Sequence, residues 1–373
     1  MYKASRVREA TKMSSRNLSL RGPNALSNST SSTVLTRLQD RVLGAGAESL
    51  GWDWGSGLLG MALLQSAELA GERRNLAFVK RWIDGHLEKG TPVHDCGGRL
   101  WKLGPGTCVG ELWRRTRRRI YGERLLEMLR YLRESPRLGG GILASKEDRP
   151  EVWVDSLMTV CPFLVQTSAL GIDPDGLDEA VRQVELHADL LQDKESGLWW
   201  HAADAPSRRP IGHFWARGNG WAIFALVETL EANPQRGRVL RFLLRRTVEG
   251  LLASQRADGT WPTVLDHPQT YCETSGQGMI VHGLAKAARL RLIPSRLGAR
   301  AAAAARRGWI PLTTHVADSG EVTGVSLGTS AGDLATYAER PTASWPVWGP
   351  AAFLLAAAEI ERGLCGQLTP AAR

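Results

Sequence analysis

The stretch from His213 to Trp221, with the sequence HFWARGNGW, combines residue types that bind charged sugars. Trp215 and Trp221 offer flat apolar faces that can stack on a sugar ring. Arg217 offers a planar guanidinium group that can pair with a carboxylate through two hydrogen bonds. The intervening glycines permit positive φ and close ligand approach, and the helix predicted to follow presents free N–H groups that favour an anion. We interpret this stretch as part of a site for an acidic sugar; the alternative is a helix start whose tryptophans belong to the core.

A second segment, from Glu151 to Met158, supplies a candidate for proton transfer. Trp153 and Asp155 lie in the first turn of a predicted helix that continues with strongly apolar residues. A carboxyl group between an indole and an apolar wall is partly desolvated, and desolvation favours the protonated form that a proton donor needs near neutrality. The alternative is that Asp155 only complements the helix dipole, which is a common use of Asp in a first turn.

Other loops repeat this combination of aromatic and polar residues ahead of a predicted helix. The sequence GWDWG at 51–55 contains Trp52 and Trp54, with Asp53 between them as a candidate helix cap, and the segment 197–201 ends in two tryptophans and His201. The segment 258–275 has the same character. Each loop alone is compatible with core packing, but their recurrence at alternate connections indicates an enzyme site built by several loops.

The bulk composition is that of an ordinary folded protein. The chain has 373 residues, of which 43% are hydrophobic and 23% charged, and a net charge of +9 that is spread without a basic block. We therefore expect no nucleic-acid module. The five cysteines have no C-x-x-C pair, which favours buried free thiols over a zinc site or a disulfide framework. Without a signal-peptide pattern or an apolar run that could span a bilayer, we expect a cytoplasmic protein with no membrane partner.

The pattern of apolar residues predicts helices almost throughout the chain after residue 33. Residues 1–33 are rich in Ser, Asn and Arg and are expected to form a disordered extension, with residues 34–373 forming a single domain. The helical periodicity gives about twelve helices in hairpins, with every second connection expanded. The expanded connections are 90–104, 136–151, 193–216, 255–272 and 311–348. This alternation predicts an all-α (α/α)6 toroid; an open helical-repeat array is the competing architecture, but no repeated sequence signature supports it.

Several of these motifs together resemble the unsaturated glycuronyl hydrolases of glycoside hydrolase families 105 and 88, and most closely the unsaturated rhamnogalacturonyl hydrolases of family 105. The resemblance covers roughly residues 35–362 and rests on these motifs: WVD at 153–155, GLWWH at 197–201, WARGNGW at 215–221, DGTW at 258–261, ETS at 273–275, and GTSAGD at 328–333 with the following Tyr337, Arg340 and Pro341. It implies an (α/α)6 barrel and action on lyase-generated oligosaccharides that end in a 4,5-unsaturated uronic acid.

The resemblance also implies a mechanism and a set of site residues. The family hydrates the enol-ether double bond by means of one carboxyl group, whereas ordinary glycosidases use two. The implied roles are general acid/base for Asp155, flanking indole for Trp153, sugar stacking and uronate contact for Trp215, Arg217 and Trp221, a place at the site mouth for His201, and an aromatic wall for Trp52 or Trp54. No cofactor or metal is implied, and the expected partner is a small unsaturated uronide oligosaccharide. The oligomeric state is not predicted.

Three departures from the family pattern bear on specificity. The acidic or Asn residue that commonly precedes the fourth helix is absent from the segment 101–106, so Asp95 would have to replace it. Asp95 could also form an acid/base pair with the adjacent His94. A histidine usual before the WxD motif is absent at 141–144, and the usual Asp-x-His-Gly near the last helix is replaced at 345–349. These differences predict a divergent specificity with the acid retained.

Alternative functions stay open from the sequence alone. One is an unsaturated glucuronyl hydrolase for another acidic polysaccharide, and another is a noncatalytic sugar-binding protein of the same fold. A conventional (α/α)6 glycosidase or epimerase would need a second carboxylate facing Asp155, for which the options are Asp95, Asp266 and Glu273.

Overall fold

The computed structural model describes residues 23–67, 72–93, 100–146, 149–234 and 237–368. Within these ranges it contains thirteen α-helices: α1 Pro23–Gly44, α2 Trp54–Gln65, α3 Glu72–Glu88, α4 Gly106–Thr116, α5 Arg119–Glu134, α6 Asp155–Ala169, α7 Gly176–Leu191, α8 Ala216–Ala232, α9 Arg238–Ser254, α10 Thr274–Arg289, α11 Ser295–Thr313, α12 Leu334–Ala338 and α13 Trp348–Leu368. Helix α1 starts inside the extension predicted for residues 1–33, and residues 1–22 lie outside the described residues.

Six of these helices form a closed inner ring. Neighbouring helices contact one another in the order α2, α4, α6, α8, α10 and α13, and α13 contacts α2 to close the ring. An outer helix packs against each inner one: α3 on α2, α5 on α4, α7 on α6, α9 on α8, α11 on α10 and α1 on α13. The predicted (α/α)6 toroid is therefore confirmed, and the open array is wrong because the two ends of the ring meet.

The burial of the helices explains which ring each one joins. Inner helix α8 is buried at every position from Ala216 to Val227, whereas outer helix α9 buries one stripe that includes Leu240, Leu244 and Val248. A helix that is apolar on all sides is stable only when neighbours surround it, while an amphipathic helix needs a single partner. No helix in the described ranges combines the length and apolarity needed to cross a bilayer.

Two glycines of the HFWARGNGW stretch have a packing role that differs from the predicted one. Gly218 and Gly220 lie inside α8, which begins at Ala216, so neither forms a positive-φ bend. A Cβ atom on Gly220 would come within 2.6 Å of the Met279 Cβ, and one on Gly218 within 2.9 Å of a Val154 methyl. The prediction of ligand approach at these glycines is corrected: they allow α8 to pack closely against α10 and the start of α6.

Short antiparallel strands connect the loops at one end of the barrel. Strands β1 Glu151–Trp153, β2 Ala202–Asp204 and β3 Arg209–Ile211 form one sheet, and β4 Val325–Ser326 pairs with β5 Thr342–Ala343. Trp153 lies opposite Ala202 in the β1–β2 pair, and the Val154 N–H donates to the His201 carbonyl over 3.0 Å. This register brings the first residue of α6, Asp155, next to His201.

The cysteines agree with the expectation of free thiols where they are described. Cys108 and Cys161 are buried, Cys272 is half-buried, and all three are unpaired. Burial raises the pKa of the Cys272 thiol to about 12, so the thiol stays protonated. These three residues are therefore small buried hydrophobic side chains in chemical terms.

Candidate active site

A cavity of about 380 Å³ opens where the amino ends of inner helices α2, α6, α8 and α13 meet. Its wall combines six indole rings with three ionisable side chains and a short loop. The lining residues are Trp54, Trp101, Lys146, Trp153, Asp155, Met158, Thr159, Trp215, Arg217, Trp221, Gly328, Thr329, Ser330 and Trp348. Among the described residues Asp155 is the one carboxylate of this wall. Helix amino ends favour an anion, so the position suits an acidic ligand.

Asp155 lies at the start of α6 and reaches both the cavity and a buried histidine. Its side chain is 25% exposed, while its Oδ2 atom is buried at 3.3 Å from Nε2 of His201. His201 is fully buried, with its ring 5.0 Å from the Trp153 ring and 4.4 Å from the Trp215 ring. The predicted position of His201 at the site mouth is corrected: the ring lies behind Asp155, away from the cavity wall.

The tryptophans predicted to line the site divide into two groups. Trp54 lines the cavity, stacked on Trp348 with ring centroids 4.9 Å apart and set edge-on to Trp221 at 5.8 Å. Trp153, Trp215 and Trp221 also line the cavity, and their contact with a sugar stays a prediction.

Trp52 belongs to the core, which corrects its predicted sugar contact. It is 3% exposed, packs against Trp82 and His86, and donates its indole N–H to the Lys102 carbonyl. The reason is the position of the helix cap: the Asp53 carboxylate accepts the Ser56 N–H and ends the loop, so only the residue after the cap faces the ring mouth.

Arg217 borders the cavity, but its hydrogen bonds go to the protein. Its Nη1 group donates to the hydroxyls of Ser275 and Ser326, and its Nη2 group donates to the Leu327 carbonyl and the Thr329 hydroxyl. The guanidinium group is 1% exposed and lies 4.2 Å from the centre of the Trp215 ring. Because both terminal nitrogens are occupied, the predicted two-bond clamp on a uronate is not available in this conformation. The arginine instead holds the loop that carries Gly328 to Ser330 against α8.

Glu273 neutralises this arginine and caps helix α10. Its carboxylate accepts the N–H groups of Ser275, Gly276 and Ser326, and it lies 3.4 Å from Arg217. Glu273 is 1% exposed and is not part of the cavity wall. Its oxygens are thus committed to structure, which argues against Glu273 as the second carboxylate of a conventional glycosidase.

The remaining options for a second carboxylate lie elsewhere. Asp266 is exposed and pairs with Nδ1 of His267 at 2.9 Å, outside the cavity wall. His94 and Asp95 lie outside the described residues. Asp266, His267 and His213 bring one potential ligand atom each within 4.8 Å of one another, the single such group in the described part of the chain. Donor atoms around one zinc ion lie about 2 Å from it, so these side chains would have to shift inward to hold a metal.

Sequence reasoning missed several residues of the site. Lys146 lines the cavity with its ammonium group 4.1 Å from the centre of the Trp153 ring and 3.9 Å from Glu151. Trp348 is the first residue of inner helix α13. The signal that was available for Trp348 is its position, since Trp54 also begins an inner helix. Lys146 comes from an irregular loop, where no periodic pattern marks it.

Comparisons with known proteins agree on one family. The model of Glycosyl Hydrolase Family 88 matches residues 27–364. The unsaturated rhamnogalacturonyl hydrolase YesR of Bacillus subtilis is 28% identical over 323 residues, which cover 83% of this chain and 89% of that protein. A Salmonella enterica structure described as a possible GH105 member has 26% identity, a TM-score of 0.77 and 84% coverage of each chain. One from Klebsiella pneumoniae, described in the same way, has 24% identity and a TM-score of 0.79, covering 96% of this chain and 99% of its own.

Proposed function

Because the chain belongs to Glycosyl Hydrolase Family 88, we propose that it removes a terminal 4,5-unsaturated uronic acid from lyase-generated oligosaccharides, with Asp155 as general acid and base. The observation that carries the proposal is the single carboxylate: among the described residues, Asp155 is the one acid in a cavity lined with indoles. Glycosidases that attack the anomeric carbon need two carboxyl groups about 5–9.5 Å apart. Hydration of an enol ether needs one.

In the proposed reaction a single group moves two protons. Protonated Asp155 gives its proton to C4 of the unsaturated ring, and the positive charge that develops at C5 is shared with the ring oxygen. A water molecule bonds to C5 and returns one proton to Asp155, which restores the acid. The product is a hemiketal, which opens and releases the neighbouring sugar. The carboxyl group ends the cycle as it began, so no second acid is consumed.

The charge and shape of the cavity support an anionic sugar ring as the ligand. Lys146 brings an ammonium group to the wall, and the amino ends of four inner helices add partial positive charge. Trp54 is partly exposed and can pack against an apolar face of the sugar, whereas Trp215 and Trp221 are 2% and 1% exposed and contribute buried apolar surface to the wall. With Arg217 engaged by the protein, we assign the uronate carboxylate to Lys146 and to the polar loop that contains Thr329 and Ser330.

The rhamnogalacturonan or pectin type is the substrate class that we propose. The support is the similarity to an unsaturated rhamnogalacturonyl hydrolase that covers most of both chains. An unsaturated glucuronyl hydrolase acting on another acidic polysaccharide is the alternative, because the residues at 141–144 and 345–349 depart from the family pattern.

The test is the loss of the ultraviolet absorbance of the conjugated enol ether when the purified protein meets unsaturated disaccharides. Disaccharides from pectin, rhamnogalacturonan and glycosaminoglycans would be compared, with saturated disaccharides as a negative substrate set. Asp155→Asn removes the proposed acid while keeping its shape. Asp266→Asn is the matched control, since it makes the same change at a carboxylate outside the cavity.

We expect absorbance to fall with the wild-type protein and with Asp266→Asn, but not with Asp155→Asn, and the fastest decay would name the substrate. Decay that survives in Asp155→Asn would reject the assigned acid. Saturated disaccharides lack the absorbing enol ether, so their cleavage would be followed by the release of reducing sugar. Cleavage of these substrates would favour a conventional glycosidase, and binding without any turnover would favour a sugar-binding protein.

A further inference from the structure

The imidazole of His201 bridges the acid of the site and a buried phenol. Its Nδ1 atom lies 2.8 Å from the Tyr337 hydroxyl, and its Nε2 atom lies 3.3 Å from Oδ2 of Asp155. Within the described ranges, neither Nε2 nor Oδ2 has a hydrogen-bond partner of normal geometry, and both atoms are buried. The two atoms therefore depend on each other. Which nitrogen of His201 carries the proton decides whether their contact is attractive.

The surroundings of the Tyr337 hydroxyl indicate the direction of its hydrogen bond. The Gly332 N–H donates to the phenol oxygen over 3.4 Å. A phenol oxygen that accepts this bond still has its own hydrogen to donate, and the acceptor within reach is Nδ1 of His201. Burial raises the pKa of Tyr337, so the phenol keeps this hydrogen.

We propose that Tyr337 is a positioning residue: it donates to Nδ1 of His201, so that the neutral ring carries its proton on Nε2 and donates it to Oδ2 of Asp155. This inference rests on the role proposed above for Asp155. It adds a residue from the short helix α12, 136 positions from His201 in sequence, to the machinery of the site. The hydrogen bond from Nε2 then occupies Oδ2 of Asp155 and leaves Oδ1 for proton transfer.

The consequence concerns the oxygen that carries the catalytic proton. Oδ2 is buried although a quarter of the side chain is exposed, which leaves Oδ1 as the oxygen that reaches the cavity. While Oδ2 accepts the Nε2–H, the acid proton must sit on Oδ1. In the hydration step the Oδ1–H bond breaks as the C4–H bond forms, and the proton from water returns to Oδ1. With the other tautomer, the acid proton would be drawn to Oδ2 and bonded to Nε2, away from the substrate.

The direct test is nitrogen NMR of protein labelled with 15N-histidine. The His201 signals would be assigned by their loss in a His201→Gln variant. We expect Nε2 to carry the hydrogen and Nδ1 to be unprotonated in the wild-type protein. In Tyr337→Phe the donor to Nδ1 is lost, and we expect a mixture of tautomers or a switch to Nδ1–H. A wild-type ring protonated on Nδ1 alone would overturn the proposal, whatever the enzyme activity.

Kinetics separate positioning from simple packing. Tyr337→Phe should lower kcat about tenfold, which is part of the full effect of general acid catalysis, and leave KM within about twofold. Tyr121→Phe is the matched control, because Tyr121 is also a buried tyrosine whose hydroxyl bonds another side chain, here Asp84, but it lies in outer helix α5. It should leave kcat unchanged. An unchanged kcat in Tyr337→Phe with an altered tautomer would reject the catalytic consequence.

A second pair of variants covers the case in which Tyr337→Phe does not fold. A Gln side chain can place its amide N–H where Nε2 donates, whereas Asn places it nearer the position of Nδ1. His201→Gln should therefore keep a kcat about ten times that of His201→Asn. Equal loss in both would contradict donation from Nε2. If no substrate is turned over by the wild-type protein, the proposed function fails, while the NMR result still decides the tautomer.

Discussion

A carboxylate lies beside a histidine at each end of the barrel, and the two pairs have different neighbours. At the mouth, Asp155 lies 3.3 Å from Nε2 of His201; in the carboxyl-terminal halves of α8 and α10, Glu228 lies 3.5 Å from Nε2 of His282. Glu228 also binds the Lys286 ammonium group. For Asp155 the described residues provide no such lysine or arginine within ion-pair distance. The comparison separates a carboxylate whose charge is compensated from one that is left open to a cavity.

The two histidines also differ in the group that contacts Nδ1, the ring nitrogen farther from the carboxylate. Nδ1 of His201 faces a hydroxyl that can donate, whereas Nδ1 of His282 lies 3.2 Å from the Leu355 carbonyl, which can only accept. His282 must therefore carry a proton on Nδ1. A neutral His282 would then face Glu228 with a lone pair, and the lysine supplies the positive charge that holds the carboxylate there. The same pair of residue types is thus part of a buried ion-pair cluster at one end, and at the other it is the pair to which we assign proton transfer.

The largest effect should come from a substitution in the pair of Asp155 and His201 at the cavity. Asp155→Asn removes the transferable proton, so kcat should fall about 10³-fold while the free energy of unfolding changes little, because the side chain is partly exposed and keeps its shape. Steady-state kinetics and denaturant unfolding on the same preparations measure both quantities.

Glu228→Gln is the matched control at the other end of the ring. It should keep kcat near the wild-type value and lower the free energy of unfolding, because it leaves the ammonium group of Lys286 without its main counter-charge. A loss of kcat in Glu228→Gln as large as that in Asp155→Asn would contradict the purely structural role assigned to Glu228.

Removing the lysine from the pair of Glu228 and Lys286 should give the next largest effect. Lys286 is 4% exposed and also lies 2.7 Å from Glu231. Lys286→Met leaves the Glu228 carboxylate buried beside an apolar side chain, and we expect the free energy of unfolding to fall by about 3 kcal/mol. The double variant Glu228→Gln/Lys286→Met should recover part of this loss because no unpaired charge remains. A double variant less stable than Lys286→Met would show that the pair does not act as a unit.

Acid should weaken the interaction between Glu228 and Lys286 over a defined pH range. Burial acts to raise the pKa of Glu228, but the ammonium group of Lys286 outweighs it and lowers the pKa from its ordinary 4.5 to about 2. A carboxylate with a lowered folded-state pKa stabilises the fold fully above pH 4.5 and loses that contribution as the pH falls toward 2. The stability difference between wild type and Glu228→Gln should therefore shrink over this range. A difference that stays constant from neutral pH to about pH 3 would contradict the shift.

The contrast between local and long-range signals explains what could be predicted from the sequence. The helices and the place of Asp155 in the first turn of one of them rest on patterns within single segments, and the structure agrees with both, while the catalytic role of Asp155 stays a prediction. The partner of His201 was missed because Tyr337 lies 136 residues away, and no pattern in one segment encodes a contact that the barrel makes by closing. Arg217 was found as a residue but not in its role, since its hydrogen bonds go to Ser326 and to the loop after it, which only the fold brings to α8.

The smallest predicted effect comes from two tryptophans that one residue separates. Trp54→Phe removes part of the cavity wall and its stacking on Trp348, so KM should rise about three- to tenfold with kcat nearly unchanged, as expected for loss of about 1 kcal/mol of aromatic contact. Trp52→Phe makes the same change inside the core and removes the hydrogen bond to the Lys102 carbonyl. It should lower the free energy of unfolding by about 1–2 kcal/mol and leave KM as it is. The reverse outcome, with KM raised by Trp52→Phe alone, would mean that substrate reaches the side of α2 that the fold buries, and the assignment of the cavity wall would have to be redrawn around the other indole.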